Sequence, residues 1–381
     1  MEAASSMLDE GYLQLAARVK NGKWAQRPTR RLLIELAIHL TVMGAGVYGM
    51  IAWSFWPAVA AYVLFVCGAI GVATHTHSSS HHTTSTNAWF DKALTYFGYT
   101  VIHGLSTSYW YHKHVVVHHP APNVLGVDDD ADLLPFFVLS ERDAEAATPG
   151  WRWYYRRVQF ILLPLALSLN HVNIQVSGWR YLVNELRDRK ARSAETFLDL
   201  GLLALHYILW VGVPLVFFSP AGVLAFNAAR LVGVGYGMFI VFAPAHFPAE
   251  AVLADESQKR VDFVLRQTAT TVNFRTGPIG RFLCSGVEYQ IEHHLFPRIS
   301  HVYYPELSPL VEQFCRERNY PYRTLGWFEA IWKSLATFYR LRPVVKNLET
   351  VRGRQNQPAG GAAAHDREIG VPVGSAMAES I

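Results

Sequence analysis

Two pairs of apolar runs, each about as long as a bilayer is thick, restrict this chain more than any other feature of its sequence. The first pair covers about Leu32 to Trp53 and about Pro57 to Thr74; the second covers about Phe197 to Phe218 and about Gly222 to Ala243. A spanning helix needs ~20 predominantly apolar residues, and within lipid a helix satisfies its own backbone. Only Ser54 to Trp56 and Ser219 to Ala221 separate the members of each pair, so each predicts a tight helical hairpin that returns the chain to its starting side. With 51% hydrophobic and 17% charged residues, general disorder is excluded, and a net charge of +4 is too mild to argue for a nucleic acid partner.

Charge placement sets the side, because short cytoplasmic segments are enriched in Lys and Arg. Lys20, Lys23, Arg27, Arg30 and Arg31 precede the first run; Arg152, Arg156, Arg157, Arg180, Arg187, Arg189, Lys190 and Arg192 lie between the hairpins; neither tip is charged. This predicts an all-α, multi-pass integral membrane fold of four transmembrane helices in two hairpins, with both termini and the middle region in the cytoplasm. Residues 1–30 read as a cytoplasmic segment without the apolar core of a signal peptide. Residues 31–345 read as the membrane domain, and residues 346–381, rich in Gly, Ala, Pro, Gln and Ser, as a disordered tail. Ala93 to Tyr109 and Val158 to Val176 are apolar but carry Thr100 and His103, or Pro164, Asn170, His171 and Asn173, and both are expected to lie half-buried in the interface. Leu325 to Leu341, with aromatics set among Lys333 and Arg340, reads as another interfacial helix. Arg230, inside the fourth run, must face the bundle or a helix end.

Histidine is the second unusual feature. There are 17, nine of them between His75 and His119, whereas the three cysteines, Cys67, Cys284 and Cys315, are too scattered for a disulfide framework or a thiolate site. Three clusters fall on the predicted cytoplasmic side. In His75-Thr-His77-Ser-Ser-Ser-His81-His82, His77 and His81 are one helical turn apart and share a face. In His112-Lys-His114-Val-Val-Val-His118-His119, His114 and His118 repeat that spacing and His119 points about 100° further round. In Gln290-Ile-Glu-His293-His294, Gln290 shares the face of both histidines, and His246, at the end of the fourth run, can point to the same place. The isolated His39, His103, His171, His206, His301 and His365 are expected to be structural, and His75 and His112, two positions from better ligands, to point away.

This donor set, many neutral imidazoles and no thiolate, exceeds what one tetrahedral zinc can use. Eight or nine nitrogens suffice for two octahedral-type ions with positions left open; imidazole also suits copper and nickel. Iron enters by chemistry: oxygen activation beside lipid needs a redox metal, and a pair of irons can store the oxidising equivalents that attack an unactivated C–H bond.

The arrangement resembles the membrane fatty acid desaturase family. Val287-Glu-Tyr-Gln290-Ile-Glu-His293-His294-Leu-Phe-Pro-Arg is similar to the last histidine box of the front-end branch, in which glutamine replaces the first histidine. His77-Ser-Ser-Ser-His81 matches the first box, with Ser78 where that branch usually has aspartate. Trp110-Tyr-His-Lys-His114-Val-Val-Val-His118-His119-Pro-Ala-Pro-Asn123 resembles the second box, with three residues between its histidines rather than the commoner two, and is followed by Asp128 to Asp132 and Leu133-Leu-Pro135. Thr271-Val-Asn273 extends the likeness, which covers about Gly71 to Tyr322. The resemblance implies a four-span fold with a cytoplasmic helical cap holding a di-iron site, and His77, His81, His114, His118, His119, His246, His293 and His294 as ligands, with His82 as a ninth. It implies Gln290 as a ligand or orienter, Asn273 as a residue holding water or a ligand near the irons, and Asp128, Asp129, Asp130 and Asp132 as organisers of the cap. The implied reaction is acyl desaturation with dioxygen as co-substrate, on a membrane lipid or acyl-CoA. Electrons would come from a separate ferredoxin or b-type cytochrome with its reductase, since neither a His-Pro-Gly-Gly segment nor a dinucleotide fingerprint is visible.

Two rivals share these features. A hydroxylase, epoxidase or ketolase on the same scaffold would return oxygen to the substrate. A histidine-rich metal transporter would need ionisable ligands along a path within its spans.

Overall fold

In a computed structural model, which describes residues 9–353, the chain is mostly helical. Five helices are long and apolar enough to cross a membrane: α1 (Thr29–Ala52), α2 (Trp56–Ser80), α3 (Gln159–Arg187), α4 (Ala194–Phe217) and α5 (Pro220–Ala245). The sequence reading counts four; the additional one is α3, whose N-terminal part was expected to be interfacial. Its polar Asn170, His171, Asn173 and Gln175 are too few to lower its mean hydropathy below the spanning range.

α1 and α2 form the first hairpin. A Cβ on Gly46 would lie 2.4 Å from the backbone nitrogen of Phe65, and one on Gly68 2.4 Å from that of Met43, so glycine is what allows the two backbones to approach so closely. α2 runs six residues beyond the expected end at Thr74 and is buried without a break from Gly68 to Ser80. Its last part, Thr74 to Ser80, is polar, and protein groups take its hydroxyls: Thr74 Oγ1 donates to the Leu283 carbonyl, and Ser79 and Thr84 share a hydrogen bond.

The chain then dips and returns. Helix Ala88–Thr95 continues into a π-helical stretch, Tyr96–Ile102, and after a turn helix Thr107–Trp110 leads into a second π-helix, Tyr111–His118. The dip ends deep among the long helices, where its terminal carbonyls would be unsatisfied in lipid. His206 Nδ1 donates to the Val101 carbonyl, Arg230 to that of Ile102, and His171 and Gln175 to that of His103. Arg230 therefore faces the bundle, with its guanidinium 4.8 Å from the Trp210 ring. Asp199 of α4 accepts from Ser106 Oγ, Thr100 Oγ1 and the Thr107 and Ser108 amides, which fixes the start of the second histidine cluster.

The remainder packs over the histidine end of the long helices. Two short parallel strand pairs, Leu253–Ala254 with Val344–Val345 and Asn273–Arg275 with Thr324–Gly326, tie its late segments to the loops after α5. The tail expected from about Lys346 begins inside this packing: Asn347 caps a 3-10 turn, Leu348–Val351, which buries Leu348 and Val351 in the cap cluster of Val264, Leu265 and Tyr320. The rest of that tail, with His365, lies outside the described residues.

Candidate metal centre

Three elements carry the histidines to one place. α2 ends on His77 and His81, whose rings are 5.1 Å apart. The third cluster opens a short helix, Gln290–Leu295, set by the sharp reversal at Ser285 and Gly286, both at positive φ. The second lies in π-helix, where the His119 amide donates to the His114 carbonyl five residues back. A turn that closes at i+5 holds more than four residues, so His114, His118 and His119 bracket a single turn and share a face. In an α-helix His119 would point away from His114. The unusual three-residue spacing is thus absorbed by the helix type.

The imidazoles form two contiguous groups. Metal-binding atoms of His77, His81, His114, His119 and His293 lie within 4.8 Å of one another, and so do those of His118, His246 and His294. His119 joins the groups, its ring stacked on His294 at 4.4 Å. Nε2 of His77 is 2.8 Å from Nε2 of His114, His114 to His119 is 3.2 Å and His119 to His293 is 3.1 Å. With metal–nitrogen bonds of about 2.1 Å, neighbouring ligands at right angles lie about 3.0 Å apart, so these separations fit a shared ion. Buried Nε2 atoms of His81 and His294 have no protein partner. Gln290 adds an amide to the smaller group: its Nε2 is 2.9 Å from His246 Nε2 and its Oε1 is unpartnered.

Outer groups aim these rings. His118 Nδ1 donates to Asp128 Oδ2 at 2.9 Å, His294 Nδ1 to Gln267 Oε1 at 2.9 Å, and His293 Nδ1 is 3.2 Å from the Tyr304 hydroxyl. A proton on Nδ1 leaves the Nε2 lone pair facing inward, the tautomer a metal needs. Gln267 also donates to the His119 carbonyl, tying the second cluster to the third. Burial, reinforced by neighbouring imidazoles, holds His114, His119, His246, His293 and His294 well below the ordinary histidine pKa, hence neutral. Burial acts the same way on His118, but the Asp128 and Asp130 carboxylates outweigh it and raise its pKa.

Two expected site residues are placed elsewhere. His82 takes positive φ to turn the chain after α2, and its carbonyl accepts from Arg27 Nε, which leaves its ring outside both groups. Asn273 is fully engaged behind the site: its Oδ1 accepts from the Ile291 amide and its Nδ2 donates to Glu292 and Tyr322. Through these bonds it positions the third-cluster helix. His75 lies towards His301 and His112 towards Tyr181. Gln267 and Tyr304 were missed, since each sits in a segment with no spacing signal, and Asp128 was read only as an organiser of the cap.

The fatty acid desaturase family profile matches residues 54–326. The chain is 32% identical over 301 residues to the Delta(8)-fatty-acid desaturase of Euglena gracilis, covering 74% of this chain and 68% of that protein. It is 27% identical to Delta(8)-fatty-acid desaturase 2 of Arabidopsis thaliana over 90% of this chain and 79% of that protein. It is 25% identical to the sn-1 linoleoyl-lipid 6-desaturase of Synechocystis sp. over 76% of this chain and 83% of that protein. The matched span contains all eight clustered histidines together with the helices that deliver them, and the chain belongs to the fatty acid desaturase family.

Proposed function

We propose that this desaturase holds two non-haem iron ions, one among His77, His81, His114, His119 and His293 and the other among His118, His246, His294 and Gln290, and that it acts as a front-end enzyme on a lipid-borne or coenzyme A-borne acyl chain. The carrying observation is the convergence of eight buried imidazoles into two adjoining groups, with the Nε2 atoms of His81 and His294 buried and unpartnered. When bound, the iron pair supplies the chemistry by which dioxygen becomes two waters as two hydrogens leave adjacent methylenes, two of the four electrons arriving from outside. The protein's own task is to aim the rings, through Asp128, Gln267 and Tyr304, and to fix which methylenes come near. The front-end assignment rests on Gln290 in the last box and on relatives named for Delta(8) and 6-desaturation. Electrons would come from a ferredoxin or b-type cytochrome with its reductase, docking on the cap.

Four spans, α1, α2, α4 and α5, suit this reading, with α3 lying along the membrane surface. Gln159, at the start of α3, bonds Val138 and Phe338 in the cap. Just past its other end, Glu195 pairs with Lys92, close after the first histidine cluster. Both ends thus lie near segments that carry or flank the histidine clusters, while the middle of α3 packs on α5, where Tyr236 donates to the Pro164 carbonyl and Asn170 to that of Gly235. The charge pattern makes the histidine side cytoplasmic.

Lipid profiling of a host with and without the chain tests the function, with His293→Ala as control. A new acyl species lighter by two hydrogens, absent from the control, is expected. A product that has gained an oxygen would indicate the hydroxylase-type rival instead.

A further inference from the structure

Resting on the desaturase reading, we infer that Trp110 and Phe242 form the acyl-chain subsite that selects which carbons are desaturated. Among the described residues, three aromatic side chains other than histidine have ring contacts with the clustered imidazoles. Trp110 stacks on His114 at 5.2 Å and 29°, Phe242 meets His77 edge-on at 5.7 Å, and Tyr304 meets His293 at 6.3 Å. Tyr304 belongs to the cap, packed in the cluster of Tyr12 and Phe296 with its hydroxyl on His293.

Trp110 and Phe242 face the other way. They pack with Phe65, Ile70, Val234 and Met238, from the apolar interior of α2 and α5, and their rings stand 6.4 Å apart at 65°. They are therefore the aromatic groups that both touch the metal-facing rings and border the bilayer-side core. In this inference an acyl chain entering from the bilayer side brings its reacting methylenes to the metals past this pair. Trp110 presents a broad face, and its buried indole Nε1 has no acceptor, so nothing polar holds the ring in place. The pair sits against one ring of each of the first two clusters, where a displacement of about 1 Å decides which C–H bond is presented. A purely structural role would make these residues matter for folding and metal content but not for bond position.

The test is product analysis of the full-length chain, expressed in a host fed linoleate, with the double bonds located by mass spectrometry. Phe242→Ala and Phe242→Leu widen the subsite by different amounts, and Trp110→Phe narrows the stacked face while keeping an aromatic ring; metal content of each purified variant reports that the centre is intact. Discrimination against the neighbouring position is expected to fall by about tenfold or more in Phe242→Ala, the scale of one methylene in an apolar pocket, and by less in Phe242→Leu. Metal-loaded Phe242→Leu and Trp110→Phe enzymes that make product with the wild-type bond position and substrate choice would overturn the inference. If Phe242→Ala fails to fold, the two milder variants decide. A wild-type chain that makes no new double bond would instead refute the desaturase reading itself.

Discussion

Asp128 shows how much of the histidine site is carried by residues outside the two imidazole groups. Its Oδ2 takes the His118 ring proton and also the Asn123 amide, so one buried carboxylate fixes both a ligand and the turn beneath it. His118 is one of only three imidazoles in the smaller group, so that group should suffer most when its orienter is lost. Asp128→Ala is expected to weaken metal binding about 10–100-fold, read as earlier metal release in a chelator titration, with one ion lost before the other. Glu288 carries a different signature. Burial lifts its carboxyl to about 7, against an ordinary 4.5, and its Oε1 has no partner. The folded chain retains a proton that the unfolded chain releases, so this group's contribution to stability is complete below about pH 4.5 and is lost as pH rises through 7. Glu288→Gln keeps an acceptor for the Gly286 amide without the charge. It should leave thermal stability unchanged at pH 4 and raise it at pH 8, by up to about 2–3 kcal/mol; equal Tm shifts at both values would contradict this. The metal-facing histidines could be read from spacing because a helix converts sequence distance into direction. Gln267 and Tyr304 could not, because their contacts join segments whose approach depends on the whole fold.

At the scale of elements, the second cluster is the place where spacing alone misleads. On an α-helix His119 would turn away from His114, yet the structure faces both toward one group, and the difference is the π-helix Tyr111–His118. A π-turn holds an extra residue, so the inserted position is accommodated without losing the shared face. Deleting Val116 would leave two residues between the first pair of histidines, the spacing at which an ordinary α-turn keeps all three on one side. The deletion variant is therefore expected to retain its metal; loss of metal would show that the π-turn itself is required. The four apolar runs were legible as long helices because hydropathy over ~20 residues is a strong local signal. The depth of the Ala88–Ile102 dip was not, because its carbonyls are satisfied by His171, Gln175, His206 and Arg230 from three other helices. His171, one of the polar side chains that make α3 look interfacial in sequence, is among those that receive the dip.

Over the whole molecule, the placement of α3 decides whether the histidines can share one face of the membrane. If α3 crossed, α4 would start on the far side from Gln159, yet Asp199 near that start holds Ser106 and the amides of Thr107 and Ser108, a few residues before His114. A crossing would pull the second cluster away from the third, which reaches it through Gln267 and the ring contact between His119 and His293. In the proposed reading, closure of the metal centre therefore goes with an even number of spans. Single-cysteine labelling reads it directly. With Cys67, Cys284 and Cys315 replaced, cysteines at Ser54 and Ser219 report the two hairpin tips, while cysteines at Ser85 and Ser193 report the segment after the first cluster and the start of α4. An impermeant maleimide applied to sealed vesicles of known orientation should label Ser54 and Ser219 positions from the outer face and Ser85 and Ser193 positions from the cytoplasmic face. Labelling of the Ser193 position from the same face as Ser54, with Ser219 now labelled from the face of Ser85, would require α3 to span, and the two halves of the metal centre would then have to be held on opposite sides of the bilayer.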